Sequence, residues 1–474
     1  MQSGSLSWRS DGDDESELRE TDVSGKVRKE FQSAEFGDDR LTDRLIQVGD
    51  RLGRAPAESI PNACEDWAFT FTKATYRFCD NERVDPNEIL DAHKRAQRSR
   101  IRGKEELLVV SDTTELVFPR HPSKEGLGDI GNSKTDLEGV KVHSTIGLDP
   151  QTHRMTGVID QQSLIEDQQA STKHDANGKD EPIELESEQE KWIRGDRQAS
   201  HWLAEEVRPI FIHDRGADAF AFYHEVTDDL DAGFVVRANQ NRCIQTPSGT
   251  DGRLIDWSED LPEQGRTSIE IGRGNGRKAR EAELTIKAGS CELLPPQNDP
   301  THTEPVKVNV VRIDELGEQN DPIQWVLLTT ESVTTFSDSL TVVDSYRARW
   351  TIEDWHKVLK TGCRIEERRL ETWERMEVLL SIYSVIAWKV LELRELARGE
   401  VHHSPEVLLT ETERSILETK FPELTDNGPK AYAIAVAKIG GYLDRGSDPP
   451  PGWETMWKGL KKLQTLAEGY GLHS

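Results

Sequence analysis

Cysteine is scarce in this 474-residue chain. Cys64, Cys79, Cys243, Cys291 and Cys363 are odd in number and scattered, with no C-x-x-C pair. Neither a disulfide framework nor a cysteine zinc site is indicated. Long apolar runs are missing too. The most apolar stretch, VLLSIYSVIAWKVLEL at 378–393, is too short for a bilayer and contains Lys389, so it reads as a buried helix. The opening MQSGSLSWRSDGDDESELRE has no apolar signal core, and a soluble, intracellular protein is expected. Positive charge is also short: 60 Lys and Arg face 87 Asp and Glu, a net −27. Such a chain is no obvious nucleic-acid binder, because duplex binding rests largely on neutralising phosphates.

The acid is unevenly placed, however. It gathers in GDDESELRETD (12–22) and KDEPIELESEQE (179–190), whereas Ser345–Arg364 holds five Lys and Arg against two acids. Acidity of this kind, with arginine prominent among the bases, suits high intracellular salt and a halophilic host. Net charge alone does not exclude DNA.

Residues 1–30 read as a poorly ordered acidic tail. Helical patterns fill 31–100; Leu41, Leu45, Val48 and Leu52 share one stripe, and Arg40, Arg44 and Arg51 another. The pattern then changes. ELLVVSDTTELVF (106–118) reads as two strands with Asp112 at the break, and 141–162 as a hairpin turning near Asp149–Gln151. A helix at 187–207 leads into the apolar run PIFIHDRGAD, and 233–330 is strand-rich. GRGNGRKAR (272–280) lacks a phosphate-loop pattern; it reads as an exposed hairpin loop, with a flexible basic DNA clamp as the alternative. Everything from 371 to 474 looks helical.

Within the basic segment, YRARWTIEDWHKVLKTG (346–362) reads as a helix capped at Ser337 and stopped by Gly362. At roughly 100° per residue, Tyr346, Arg349, Glu353, Lys357 and Lys360 fall within an arc of about 80°. Ile352, Trp355, Val358 and Leu359 point the other way, toward a core. The plain reading is a salt-bridged surface, each i,i+4 pair being worth about 0.2–0.5 kcal/mol. Against it stand two distant acids, Asp112 after LLVVS and Asp214 after PIFIH. Acids at strand ends gather at one sheet edge, and a third from a packed helix can complete a site for two hard cations.

Here the residues resemble a known family. Tyr346, two residues, Arg349, three residues, Glu353, six residues, Lys360 reproduces the Y-(2)-R-(3)-E-(6)-K signature of insertion-sequence-four (Tn-five-like) DDE transposases. SDTTELVF, VHSTIGL, HDRGADAFAF, FVVR and WVLLTT follow in family order. FGDDRLTDRL and YRFCDN resemble its N-terminal DNA-binding segment, and AYAIAVAKIGGYLDR its C-terminal region.

The resemblance implies an α/β fold: a ribonuclease H-like catalytic core (101–370) with a β-rich insertion at about 233–330. A helical DNA-binding domain (31–100) and a helical C-terminal dimerisation domain (371–474) would flank it. It implies that Asp112, Asp214 and Glu353 form the catalytic triad and bind two Mg²⁺, with Mn²⁺ as substitute. The chemistry would be nicking at a transposon end, hairpin formation, reopening and strand transfer. It assigns DNA contacts to Tyr346, Arg349, Lys357 and Lys360, a base-stacking surface to Trp325 (otherwise core packing), and end recognition to Arg44 and Arg77 (otherwise surface ion pairs). Arg215 would touch DNA or brace Asp214, and His143 reads as structural. The implied partners are double-stranded DNA, as transposon ends and target, and a second copy in a synaptic homodimer at the nucleoid. The rivals are a non-catalytic DNA-binding regulator of transposition and a metal-dependent nuclease of related fold.

Overall fold

The computed structural model describes residues 24–63, 68–119, 123–130, 137–165, 172–174, 180–182, 190–203, 207–271, 280–297, 301–317, 322–398, 409, 411–426, 428–446, 448 and 450–471. Residues 1–23 of the acidic tail and 272–279 of GRGNGRKAR lie outside that set. The described residues form two compact units, one drawn from 1–96, 361–364 and 378–474, the other from 97–360 and 365–377.

The first unit is helical. Its N-terminal helices are α1 (Ser24–Phe31), α2 (Asp39–Arg54), α3 (Ile60–Ala63), α4 (Ala68–Cys79) and most of α5 (Pro86–Ile101). Asp38 caps α2 by accepting the Arg40 amide, and the apolar stripe buries Leu45, Val48 and Leu52. A buried pair, His93 Nδ1 to Glu30 Oε2 at 2.6 Å, ties α5 to α1. In the same unit, helices Glu411–Lys420, Pro429–Ile439 and Trp453–Gly471 pack around Leu417, Val436, Leu460 and Leu463. Gly459 permits the closest approach there: a Cβ on it would stand 1.9 Å from the Val436 carbonyl.

The second unit is organised by one sheet. Its strands are β1 (Glu106–Val117), β2 (Gly128–Asp129), β3 (Glu138–Leu148) and β4 (Met155–Leu164). A separate short pair follows, β5 (Thr172–His174) with β6 (Asp180–Pro182). The large sheet continues with β7 (Arg208–His213), β8 (Gly233–Arg237), β9 (Cys243–Gln245), β10 (Asp251–Arg253), β11 (Glu263–Ile271), β12 (Arg280–Leu293), β13 (Val306–Glu315) and β14 (Gln324–Thr329). The order is β10-β9-β12-β13-β14-β8-β7-β1-β3-β2, with β11 on β12 and β4 on β3. The strand-rich stretch from 233 to 330 therefore extends the same sheet.

Among the described strands of the sheet, β1, β7 and β8 pair parallel and the other pairings are antiparallel. Their apolar runs, LLVV, PIFI and FVV, suit strands buried on both faces. Two sequence readings need correction. β1 is one strand rather than two, because β3 pairs with it antiparallel from Leu108–Leu148 to Val117–Gly139. Asp112 is thus mid-strand, although its parallel partner β7 has already ended.

The basic helix is also broken. Helix α6 (Glu190–Leu203) packs on β1, β3, β4 and β7, then come α7 (Phe220–His224), α8 (Leu254–Glu259), α9 (Phe336–Ala348) and α10 (Trp350–Lys357). The cap of α9 is Thr335, not Ser337: Thr335 and Asp338 form a reciprocal capping box, which gives the first amides better partners. Between α9 and α10 the chain tightens at Arg349, whose amide bonds to the Tyr346 carbonyl three residues back. After α10, Val358–Gly362 loosens into a π-turn.

Candidate active site

The parallel registers align the ends of β7 and β8 with the middle of β1. Val110 lies opposite Ile212, and His213 opposite Val236. Extended by one or two residues, the same registers set Asp112, Asp214 and Arg237 level along the carboxyl edge of β1, β7 and β8. That edge is where open α/β sheets place their ligands.

Helices α9 and α10 bring the remaining groups. Alternation along β1 sends Ser111 and Asp112 to opposite faces. Gly195 of α6 sits by Ser111 and Thr145, while Arg349 reaches Asp112 from the other side. Arg349 Nη1 stands 3.5 Å from Asp112 Oδ2, and Nη2 donates to Glu353 Oε1 at 2.6 Å. Its guanidinium is buried, and it also lies 5.3 Å from the Trp350 ring centroid. Burial works against the Arg349 charge, yet Tyr346, Glu353 and Asp112 more than offset it and hold its pKa above the ordinary value.

Asp112 shows the cost of crowding carboxylates. Burial pushes it up to about 6; Arg349 and the Thr113 amide pull it down, while Asp214 and Glu353 push it further up. Asp214 caps the short turn Arg215–Ala217, its Oδ1 accepting the Gly216 amide at 2.7 Å. Asp214 and Glu353 thus both act on Asp112, and Arg349 is shared by Asp112 and Glu353. The three acids arise from β1, from the loop after β7 and from α10.

The hard-oxygen donor set and the repulsion on Asp112 both fit a divalent cation. Asp112, Asp214 and Glu353 are the residues that would hold it. Among the described residues no three acidic, His or Cys side chains converge as a ready chelate, and the Arg349 guanidinium contacts both Asp112 and Glu353.

The other predicted residues divide. Tyr346 is buried, sets its ring 5.2 Å from Trp325 in T-shaped contact and has Arg349 and Arg237 as neighbouring positive charges. Trp325 is half-buried on β14, opposite Ile313. Lys357 is exposed on α10, and Lys360 donates to the Glu115 carbonyl at 2.7 Å. Arg215 is exposed beside Asp214. Arg44 and Arg77 belong to the first unit: Arg44 lies 5.6 Å above the Phe71 ring, and Arg77 is exposed on α4.

Sequence reading missed the layer beneath the acids. Arg237 ends β8 and faces Tyr346, and only the register of β7 and β8 reveals it. Asp196 of α6, fully buried, is 3.0 Å from His213 Nε2. Trp192 lies between His213 and His143, with ring centroids 4.9 and 4.7 Å away. His143 in turn shares a hydrogen bond with Thr113 Oγ1 at 2.9 Å, which supports its structural reading. One buried ladder thus joins the residue before Asp214 to the residue after Asp112. Asp218 adds a second pin, accepting from Tyr223, the amides of Asn239 and Gln240, and Arg242. It fastens the loop after β8 to the loop after β7.

Two comparisons bear on this arrangement. Residues 25–84 match the family described as Transposase DNA-binding, and residues 141–388 match the one described as Transposase DDE domain.

Proposed function

The chain belongs to the DDE transposases, enzymes that act on DNA, and its N-terminal part belongs to their DNA-binding module; from that premise we propose a cut-and-paste transposase of the insertion-sequence-four (Tn-five-like) type. Its catalytic fold is ribonuclease H-like. Arg44 and Arg77 of the 31–100 region take part in recognising transposon ends. Asp112, Asp214 and Glu353 carry the chemistry, and the helical region after 371 joins two copies into a synaptic dimer. The observation that supports the reading is that Arg349 is shared by Asp112 and Glu353 while Asp214 and Glu353 both act on the charge of Asp112, at the carboxyl ends of β7 and β8.

Two Mg²⁺ ions, when bound by the triad, would supply activation of the attacking oxygen and stabilisation of the leaving oxygen in phosphoryl transfer. The side chains do the rest. Arg349 keeps two acids compensated before DNA arrives and then turns its spare N–H groups toward a phosphate. Arg237 and Tyr346 hold the base of α9 against the end of β8. Trp325, packed edge-on to Tyr346, offers its remaining face to a base turned out of the stack, which relieves a tight hairpin end. Lys357 and Lys360 flank the strand as phosphate contacts. In an acidic chain these local cations carry the affinity, in keeping with a host of high internal salt.

The test uses the purified protein with Mg²⁺ and donor DNA carrying the inverted repeats that flank its gene. Hairpinned and joined products support the proposal. Nicks alone would indicate a nuclease, and binding without cleavage a regulator.

A further inference from the structure

Four residues after Asp214 stands a second acid with a different use. Asp218 closes the short turn Arg215–Ala217, and its side chain is fully buried. Its Oδ1 accepts from the Tyr223 hydroxyl at 2.8 Å and from Arg242 Nε at 2.9 Å. Its Oδ2 accepts the amides of Asn239 and Gln240 at 2.6 and 2.8 Å. A carboxylate offers about four lone-pair sites. These donors take them, which leaves half-buried Asp214 as the acid of this loop able to serve a cation.

We propose that Asp218 and Arg242 are positioning residues: acting through the turn, they fix where Asp214 presents its carboxylate to a divalent ion. The inference rests on the transposase reading and deepens it.

The turn is too short and too well braced for one end to move alone. The Ala217 amide donates to the Asp214 carbonyl and the Asp218 amide to the Arg215 carbonyl, each at 3.3 Å, while Asp214 Oδ1 takes the Gly216 amide. The turn is also pressed on α6: a Cβ on Gly216 would stand 3.0 Å from Trp192 Cζ2 and 3.0 Å from Asp214 Oδ1. One end is set by β7, the other by Asp218.

The restraint on Asp218 comes from beyond β8. Arg242 donates to the carboxylate and also to the carbonyl of Asp218, and it lies 5.8 Å from the Tyr223 ring centroid. Its own carbonyl accepts the Leu254 amide at 2.9 Å, and Asn241 Oδ1 accepts that of Ile255 at 2.8 Å, so the loop is tied to α8. A buried ion pair therefore joins the β-rich region to the turn that carries Asp214. Fully satisfied buried networks specify one arrangement, and a misplacement of about 1 Å at a reacting centre can cost about 10²-fold.

The experiment measures metal dependence in the full-length protein. Single-turnover cleavage of donor DNA is followed across a Mg²⁺ series. Mn²⁺ binding is read by electron paramagnetic resonance with a duplex that ends at the pre-cleaved terminal repeat. Arg242→Gln is expected to raise the Mg²⁺ needed for half-maximal cleavage and the Mn²⁺ dissociation constant by about 10–100-fold, with duplex affinity in EDTA unchanged. Arg242→Lys keeps the charge but loses the fork, and falls between. Asp218→Asn should match Arg242→Gln; if it fails to fold by circular dichroism, the two Arg242 variants decide. Ile286→Ala, a change in the buried core of β12, is the control for lost stability. Assayed at the same margin below its melting temperature, it should keep the wild-type metal dependence. Unchanged metal dependence in the folded Arg242 variants, or an equal shift in Ile286→Ala, overturns the positioning role and leaves the transposase reading standing. A wild-type protein that neither binds Mn²⁺ nor cleaves donor DNA overturns both.

Discussion

Arg349 and Glu353, one helical turn apart, are joined at 2.6 Å by a guanidinium that is only 7% exposed as a residue and also leans on Asp112. A surface i,i+4 pair of the same residues would be worth a few tenths of a kcal/mol. Buried between two acids, this one instead sets how much negative charge the site tolerates before a cation and DNA arrive.

Glu353→Gln keeps the hydrogen bond to Arg349 and removes the charge. Cleavage of donor DNA is expected to fall by more than the about 10–100-fold typical of residues behind a metal ligand, with binding of the duplex retained. Single-turnover gel assays with Mg²⁺ check this, and near-normal cleavage would remove Glu353 from the triad.

Arg349→Gln takes from Asp112 and Glu353 the guanidinium they share. Cleavage should drop, yet Mg²⁺ should raise the melting temperature of the variant by more than it raises that of the wild type. Paired thermal scans with and without Mg²⁺ decide it. An equal or smaller rise would show that Arg349 does not stand in for positive charge at the acids.

Trp325→Ala separates stacking from packing. The T-shaped contact with Tyr346 is worth about 0.5–1.5 kcal/mol beyond its area, so some loss of stability is expected in either case. The first nick should persist while the hairpin product declines. Equal loss of both products would reduce Trp325 to a packing residue.

Asp196→Ala removes the hydrogen-bond partner of fully buried His213 and should cost about 1–3 kcal/mol. Urea unfolding measures it. Milder Asp196→Asn should slow cleavage more than it weakens DNA binding, because the ladder it heads ends on the neighbours of Asp214 and Asp112.

Acid should destabilise the protein through His356. Burial, with Lys360 nearby, lowers its pKa from the usual 6.5 to about 3. Its neutral form therefore contributes stability above about 6.5, lost as pH falls toward 3. Asp112 works in reverse: its raised value of about 6 means that its folded environment is most favourable below about 4 and loses that contribution as pH rises through 6. Urea midpoints between pH 7 and 4 should fall for the wild type and fall less for His356→Met. An identical pH slope in that variant would remove His356 as a source.

Much of the site was legible because its chemistry recurs at fixed spacing. Tyr346, Arg349, Glu353 and Lys360 announce themselves within one short segment, and Asp112 and Asp214 each follow an apolar strand. The hairpin turn was legible too, since Asp149 accepts the amides of Gln151 and Thr152 as turn aspartates do. Other features were not. The length of β1 depended on β3, which pairs with it from 30 or so residues away. The break at Arg349 and the π-turn after Lys357 lie inside what periodicity treats as one helix, and the packing of Tyr346 against Trp325 has no signal along the chain. Arg237, Asp196 and Arg242 carry no local signature at all.

By itself, the sequence determined which three acids are the candidates, where helical and strand patterns alternate, and the basic island in an acidic chain, since spacing, apolar runs and charge are properties of neighbours along the chain. Tertiary structure alone decided that Asp112, Asp214 and Arg237 stand level with one another, that Arg349 is shared between two acids, and that Arg242 reaches back to Asp218. The reason is physical: strand register and helix packing are settled by burial of apolar faces far apart in sequence, and the charges travel with those faces wherever packing sets them.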